Sequence, residues 1–381
     1  MYTYFFQLGT TTELSLAELA CVLGDKKLDI LTQQIIAVNS ATKIDVQGLQ
    51  NQLGGCVKIL KKEALLNDTT AQTIATSIAQ IIPEGKITFA FTQLDLRAGE
   101  TSDEILLDAA EIKKELVQQG RSVRFVEGKK FGLSAAVLLH QKKVREFVLI
   151  ITTKEIMFAQ TMSIQNIDDW TVRDRSKPYA DRKKGMLPPK VARILLNINR
   201  SFDQATERVV LDPFCGAGNI LLENAMLKTK GIGIDIDKNA VAGTTDNLRW
   251  FSETYQQPHH QQVYPGDATH VPESIVQAVT AIVTEPFLGR PKPKAEQVPD
   301  IFRGLYKLYL GAFKNWKKIL PDGAPVTIVF PSTLVAGKEY TMSALIDKLL
   351  PLGYTTVSGP LRYSRPDAII TRSIYTFVLK K

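Results

Sequence analysis

Cysteine and histidine are scarce in this chain, numbering 3 and 4 in 381 residues. Cys21, Cys56 and Cys215 stand far apart, with neither a CxxC pair nor a Cys/His cluster beside them, so no disulfide framework or zinc site is indicated. Long apolar runs are missing as well. No stretch of about 18 apolar residues offers a membrane span, and the opening MYTYFFQLGTTTELSLAEL lacks a basic segment followed by an apolar one. A cytoplasmic location, without membrane attachment, is the expectation. Acidic residues are short in one region only. Residues 121–200 hold 17 Lys/Arg against 7 Asp/Glu, a net +10, although the whole chain carries +8. The excess fits either a solvated basic face or a stripe that neutralises phosphates beside a catalytic domain.

A chain of this length exceeds what one hydrophobic core organises, so more than one domain is expected. The first half reads as small α+β units. A strand at 2–8, a helix at 15–23 with Ser15 as N-cap, and a strand at 35–38 suggest a ferredoxin-like piece over 1–60. A second unit over 61–165 has helices near 70–81 and 102–118, strands at 87–91 and 122–126, and a hairpin from 147–152 to 157–162. Residues 166–185 are polar and charged without an apolar period, which marks a linker. From 186 to 381, GMLPPK leads into the helical VARILLNI, and strands then alternate with helices. Such alternation demands crossovers and a mostly parallel sheet covered on both faces.

The strongest local signal is VVLDPFCGAGNILLENA, residues 209–225. An apolar strand ends in Asp212, a turn through Gly216 and Gly218 follows, and a helix begins near Asn219. Glycines admit close backbone approach, and a helix N-terminus favours a carboxylate there. The sequence is not GxGxxG, and DPFCGAG is nearer the pattern that holds the amino-acid end of S-adenosylmethionine. A second strand, GIGID, places Asp235 about 20 residues on, where an acid accepts from ribose hydroxyls. Asp237 reads instead as the N-cap of the next helix. Asp267, in GDAT, is placed to meet the adenine amine. The cofactor-lining residues expected are Pro188, Asp212, Pro213, Phe214, Cys215, Gly216, Gly218, Asp235, Ile236, Asp267 and Ala268. Cys215 has no nearby base to activate it and reads as packing.

A fourth strand ends in Glu285-Pro286-Phe287-Leu288-Gly289. The series MLPPKVARILLNI, LDPFCGAGNILLE, GIDID, NLRW and VTEPFLG resembles the THUMP-domain tRNA guanosine N2-methyltransferase family, whose members modify position 10 and related sites. FFQLGTTTELSLAEL, LGGCVKI and FGLSAAVLL are similar to that family's N-terminal regions. The resemblance implies an α/β fold: a Rossmann-like methyltransferase domain, with a mostly parallel sheet and an antiparallel terminal strand, preceded by an α+β ferredoxin-like/THUMP module. It also implies S-adenosylmethionine as cofactor, no required metal, and RNA, above all tRNA, as partner. No residue separates tRNA from rRNA or fixes the oligomeric state, for which a monomer is the default.

The family's usual Asp-Pro-Pro-Tyr-Gly is altered here. In that pattern a carboxylate and a backbone carbonyl accept the two amine protons, which draws the nitrogen lone pair out of ring conjugation, while an aromatic stacks on the base. The catalytic candidates are therefore Glu285, Pro286 and Phe287, with Phe287 in place of the missing tyrosine. An RNA-binding protein that has lost the chemistry stays open as the alternative. For RNA, the expected contacts are Arg173, Arg175, Lys177, Arg182, Lys183, Lys184 and Arg290, with Trp170 and Tyr179 interleaved for stacking.

Overall fold

The computed structural model describes residues 1–97, 108–127, 133–141, 143–181, 185–276, 278–290, 292–364 and 368–381. They divide into two compact units, Met1–Ser15 with Asp25–Asp169, and Leu16–Gly24 with Trp170–Lys381.

The first unit is built on one sheet. Its strands are β1 (Tyr2–Leu8), β2 (Leu28–Ile30), β3 (Ile35–Ser40), β4 (Cys56–Leu66), β5 (Ile87–Asp95), β6 (Val123–Phe125), β7 (Arg145–Ile151) and β8 (Ile156–Ile164), in the order β2-β3-β1-β4-β8-β7-β5-β6. The boundary expected at residue 60 falls inside β4, which pairs with β1 on one side and β8 on the other. The two expected N-terminal modules thus share a continuous ladder of hydrogen bonds. Helices α1 (Thr12–Leu23), α2 (Val46–Gln52), α3 (Ala71–Ile81), α4 (Ala109–Gln118) and α5 (Ala135–His140) complete the first half of the chain. α1 starts three residues before the expected Ser15, whose hydroxyl bonds back to the Thr11 carbonyl at 2.8 Å instead of capping. The front of the helix expected over 102–118 lies outside the described residues. Ile74 and Ile78 of α3 and Ile112 and Leu116 of α4 bury against Phe89, Phe147 and Phe158. A Lys58–Glu146 pair at 2.8 Å is fully enclosed, with Thr92 and Thr161 also donating to the carboxylate. Every polar atom so buried needs a partner, and this cluster supplies them.

Within the linker expected over 166–185, residues 167–175 form helix α6 (Ile167–Arg175), which the missing apolar period did not announce. Trp170, Arg173 and Lys177, at spacings of three and four, are all buried. Arg173 Nε lies 2.6 Å from Glu223 Oε1, Arg193 Nη2 lies 2.7 Å from Glu223 Oε2, and the Arg173 guanidinium carbon is 4.2 Å from the Trp170 ring centroid. α6 is thereby fastened to α7 (Pro189–Arg200) and α8 (Asn219–Met226) by charge and stacking rather than by an apolar stripe.

The remaining elements are β9 (Val209–Asp212), β10 (Lys230–Asp235), α9 (Lys238–Tyr255), β11 (Gln261–Pro265), α10 (Glu273–Val276), β12 (Ala281–Thr284), α11 (Val298–Ile319), β13 (Pro325–Val335), β14 (Lys338–Tyr340), α12 (Ser343–Leu349), β15 (Tyr354–Tyr363) and β16 (Thr371–Leu379). The sheet order is β11-β10-β9-β12-β13-β16-β15. β9 to β13 are parallel, whereas β16 inserts antiparallel between β13 and β15. The sequence placed an antiparallel strand at 374–379; the observed strand starts three residues earlier, at Thr371. Phe313 of α11 packs on Phe330, Phe377 and its neighbour Trp316 in the core of this unit. No helix among the described residues is long and apolar enough to cross a membrane.

Candidate active site

The C-terminal ends of the parallel strands, where doubly wound sheets hold ligands, open here into a cavity of about 460 Å³. It begins at β9. This strand is buried throughout and ends in Asp212, whose carboxylate accepts from the Thr284 hydroxyl at 2.7 Å and the Phe214 amide at 3.2 Å. Burial, with the charges of Asp235 and Glu285 adding to it against those hydrogen bonds, pushes the Asp212 carboxyl up to about 7. Gly216 and Gly218 then adopt φ of +51° and +76°, a left-handed backbone that favours glycine. At Gly218 a Cβ would also stand 2.6 Å from the Thr244 methyl, while the Thr244 hydroxyl donates to the Gly216 carbonyl at 2.7 Å. α8 starts directly after this turn. Its first residues, with Asp212, Phe214 and Cys215, line a smaller hollow of about 80 Å³ beside the main cavity. Burial raises the Cys215 thiol well above its ordinary value, so it packs rather than reacts.

Asp235 closes β10. Its two oxygens accept from the amides of Gly216 at 2.8 Å and Asp237 at 2.9 Å, and a carboxylate has further lone pairs for a ligand's hydroxyls. Ile236, next along, is 78% exposed and lines the cavity, as do Gly266, Asp267 and Ala268. Partial burial works against the Asp267 charge, but the amide and hydroxyl of Thr269 and the His270 ring hold its carboxyl below the usual range. Asp237 caps α9, accepting from the Asn239 amide at 2.9 Å.

Glu285-Pro286-Phe287-Leu288-Gly289 also line the cavity. Phe287 is 56% exposed. Its carbonyl accepts from the buried Tyr309 hydroxyl of α11 at 2.6 Å, which fixes the path of the backbone here. Glu285 is paired with Arg372 of β16 at 2.5 Å. Tyr179 joins the lining as well. Its amide and carbonyl are both held by the Asn247 side chain, at 2.8 and 2.9 Å, and its ring lies on Gly243, where a Cβ would come within 2.1 Å of it.

The cavity therefore collects Pro213, Phe214, Gly216, Asp235, Ile236, Asp267, Ala268 and the three catalytic candidates from segments far apart in sequence. Asp212 and Cys215 line the smaller hollow, and Gly218 caps α8 behind it. Pro188 departs from expectation: it is the N-cap residue of α7, its carbonyl accepting from Ala192, and it lines neither space. Arg173 and Lys177 also require correction as RNA contacts. Arg173 is enclosed on Glu223, and Lys177 Nζ reaches Asn219 Oδ1 at 2.5 Å, so both brace the fold. Arg175 and Arg290 are exposed, whereas Arg182, Lys183 and Lys184 lie outside the described residues.

Arg372, Tyr309 and Thr244 were not anticipated. Their roles depend on partners 87, 22 and 28 residues away, and no local spacing announces them. A basic row on α11 was also overlooked. Arg303, Lys307, Lys314 and Lys318 are exposed at helical spacing, and the same helix lends Leu308 to the cavity wall.

Comparison with known proteins agrees with this architecture. Residues 178–320 match the family model UPF0020, described as RMKL-like, methyltransferase domain. A tRNA (guanine(10)-N2)-dimethyltransferase of Methanocaldococcus jannaschii is 29% identical over 41% of this chain and 45% of that protein. A Methanothermococcus thermolithotrophicus protein named "Probable tRNA (guanine(10)-N2)-dimethyltransferase" is 33% identical over 30% of this chain and 70% of its own length. The chain spans less than half the length of the first of these relatives. The crystal structure of TrmN from Thermus thermophilus superposes with a TM-score of 0.57 over 100% of both chains at 15% identity, a likeness of fold. On the sequence it shares with these relatives, the chain belongs to the tRNA (guanosine-10) N2-methyltransferase family.

Proposed function

We propose that the chain transfers the methyl group of S-adenosylmethionine to the exocyclic N2 amine of a guanosine in tRNA, in the cytoplasm. The observation that carries this reading is that Asp235 and Glu285-Pro286-Phe287 line one cavity. Its volume, about 460 Å³, is within the roughly 300–1,000 Å³ of small-molecule sites. The cofactor supplies a methyl group on a sulfonium. Asp235 would accept from its ribose hydroxyls, Ile236 and Ala268 would hold the adenine, and the first turn of α8 with Asp212 would hold the amino-acid end. Glu285 and the Pro286 carbonyl would accept the amine hydrogens and free the nitrogen lone pair; the N–CH3 bond would form as the S–CH3 bond breaks, leaving a neutral thioether and a surplus amine proton that passes to solvent, with Phe287 stacked on the extruded base. Exposed cations at Arg175, Arg290, Lys292, Lys294 and along α11 hold phosphates, together with Arg182, Lys183 and Lys184.

The experiment is to incubate unmodified tRNA with the protein and S-adenosylmethionine and to analyse the nucleosides by mass spectrometry. Methylguanosine is the expected product; an unmodified pool despite cofactor binding would select the RNA-binding alternative. Asp235→Ala is expected to weaken S-adenosylmethionine binding in calorimetry by about 1.5–3 kcal/mol, the range for a hydrogen bond to a charged group. Unchanged affinity removes Asp235 from the site.

Asp212 adds a dependence on pH. Its folded pKa, about 7, lies above the ordinary aspartate value of 3.8, so between these values the folded state holds a proton that the unfolded chain has released. The stability linked to this group is fully present below about pH 4 and is lost as pH rises through 7. Each unit of such a shift is worth about 1.4 kcal/mol. Asp212→Asn should therefore stabilise the protein more at pH 8 than at pH 5 in denaturant unfolding. Equal effects at both pH values refute the assignment.

A further inference from the structure

Glu285 is one methylene longer than the aspartate of the family pattern, so its carboxyl reaches further and has one more torsion to restrict. What restricts it comes from another strand. β16 runs antiparallel to β13, so it brings its first residues, rather than its last, to the edge where the parallel strands end. Arg372 is the second of them, opposite Pro331 of β13 and Tyr363 of β15. Its guanidinium carbon lies 5.7 Å from the Tyr363 ring centroid. Its Nε is 2.5 Å from Glu285 Oε1, and its Nη2 is 3.5 Å from Oε2.

Two features set this pair apart from an ordinary structural ion pair. Both side chains line the cavity, and they are 13% and 10% exposed, so the pair is shielded from water yet open to a ligand. The contact is also unequal. Oε1 is committed to Nε, whereas Oε2, at the limit of hydrogen bonding, keeps its capacity as an acceptor. An unclamped glutamate would spread its acceptors over several rotamers; the clamped one offers a single oxygen in a single place.

We propose that Arg372 is a positioning residue for methyl transfer: by holding Glu285 Oε1 it aims Oε2 at the amine of the acceptor base, which lets glutamate stand where the family pattern has aspartate. The inference rests on the transfer reaction proposed above. The test uses the full chain, an unmodified tRNA transcript and labelled S-adenosylmethionine, with Arg372→Met, Arg372→Lys, Glu285→Gln and the Arg372→Met/Glu285→Gln double variant. Arg372→Met should lower kcat by about 10²-fold, the scale of a misplaced catalytic group, with KM for tRNA and calorimetric cofactor affinity little changed. Arg372→Lys should recover part of the rate. The double variant should be no slower than the slower single variant, because a residue acting only through Glu285 has nothing further to lose. Losses that multiply, a defect confined to KM, or loss of cofactor binding in both Arg372 variants would each overturn the proposal. Wild-type kcat in Arg372→Met overturns it while leaving the reaction standing, whereas an inactive wild-type protein removes both.

Discussion

Replacing Glu285 with glutamine is expected to slow methyl transfer by about 10²-fold or more, the scale of a positioned acid–base or electrostatic group. The substitution conserves size, so cavity shape and cofactor affinity should persist. Polarity is what changes. Arg372 presents only donors, so the glutamine must turn its oxygen to the guanidinium, and its NH2 then meets the acceptor amine, donor against donor. The amine loses the partner that draws its lone pair out of conjugation. Phe287→Ala should slow transfer as well, by about 1–3 kcal/mol if this exposed ring stacks on the base. Leu288→Ala should matter less. Single-turnover rates with saturating cofactor test the series, and a larger loss at Leu288 than at Phe287 would show that the leucine carries the stacking.

Glu223→Ala is the substitution expected to harm the fold most. Glu223 is fully buried and accepts from Arg173 at 2.6 Å and from Arg193 at 2.7 Å, both themselves enclosed. Removing one partner of a buried pair costs about 3–5 kcal/mol because the other charge stays behind uncompensated, and here two guanidiniums lose the same acceptor. Against a total stability of about 5–15 kcal/mol, such a loss approaches global unfolding. Urea unfolding followed by circular dichroism should show a large fall in midpoint. A small fall would mean that α6 detaches and lets water reach Arg173 without disturbing the sheet.

These two residues also mark what the sequence revealed and what it concealed. The cofactor edge was legible because its determinants are local: a buried strand, glycines where the backbone turns left-handed, a helix immediately after, and Asp235 one crossover later. Asp237 was legible as a cap for the same reason. Helix α6 was misread because period templates register apolar side chains, and its buried face is Trp170, Arg173 and, one turn beyond, Lys177. Cations satisfied by a distant glutamate look identical in sequence to cations awaiting phosphate. β4 was overlooked because KKEALL in its second half reads as polar, although ladders on both edges hold it in place. Arg372 was hidden because only the insertion of β16 between β13 and β15 brings it to a residue 87 positions earlier.

The glycine beneath Tyr179 bears on any effort to make this protein more robust. Gly243 sits in the middle of α9, where alanine would strengthen an isolated helix by about 1 kcal/mol. A design procedure that ranks substitutions by helix propensity would therefore select it early. The new methyl group would occupy the space of the Tyr179 ring, 2.1 Å away, and drive that ring off its seat and into or out of the neighbouring cavity. Position 243 thus sets local stability against the shape of a pocket that Tyr179 also lines, and thermostabilised variants should be selected with ligand binding scored at the same time.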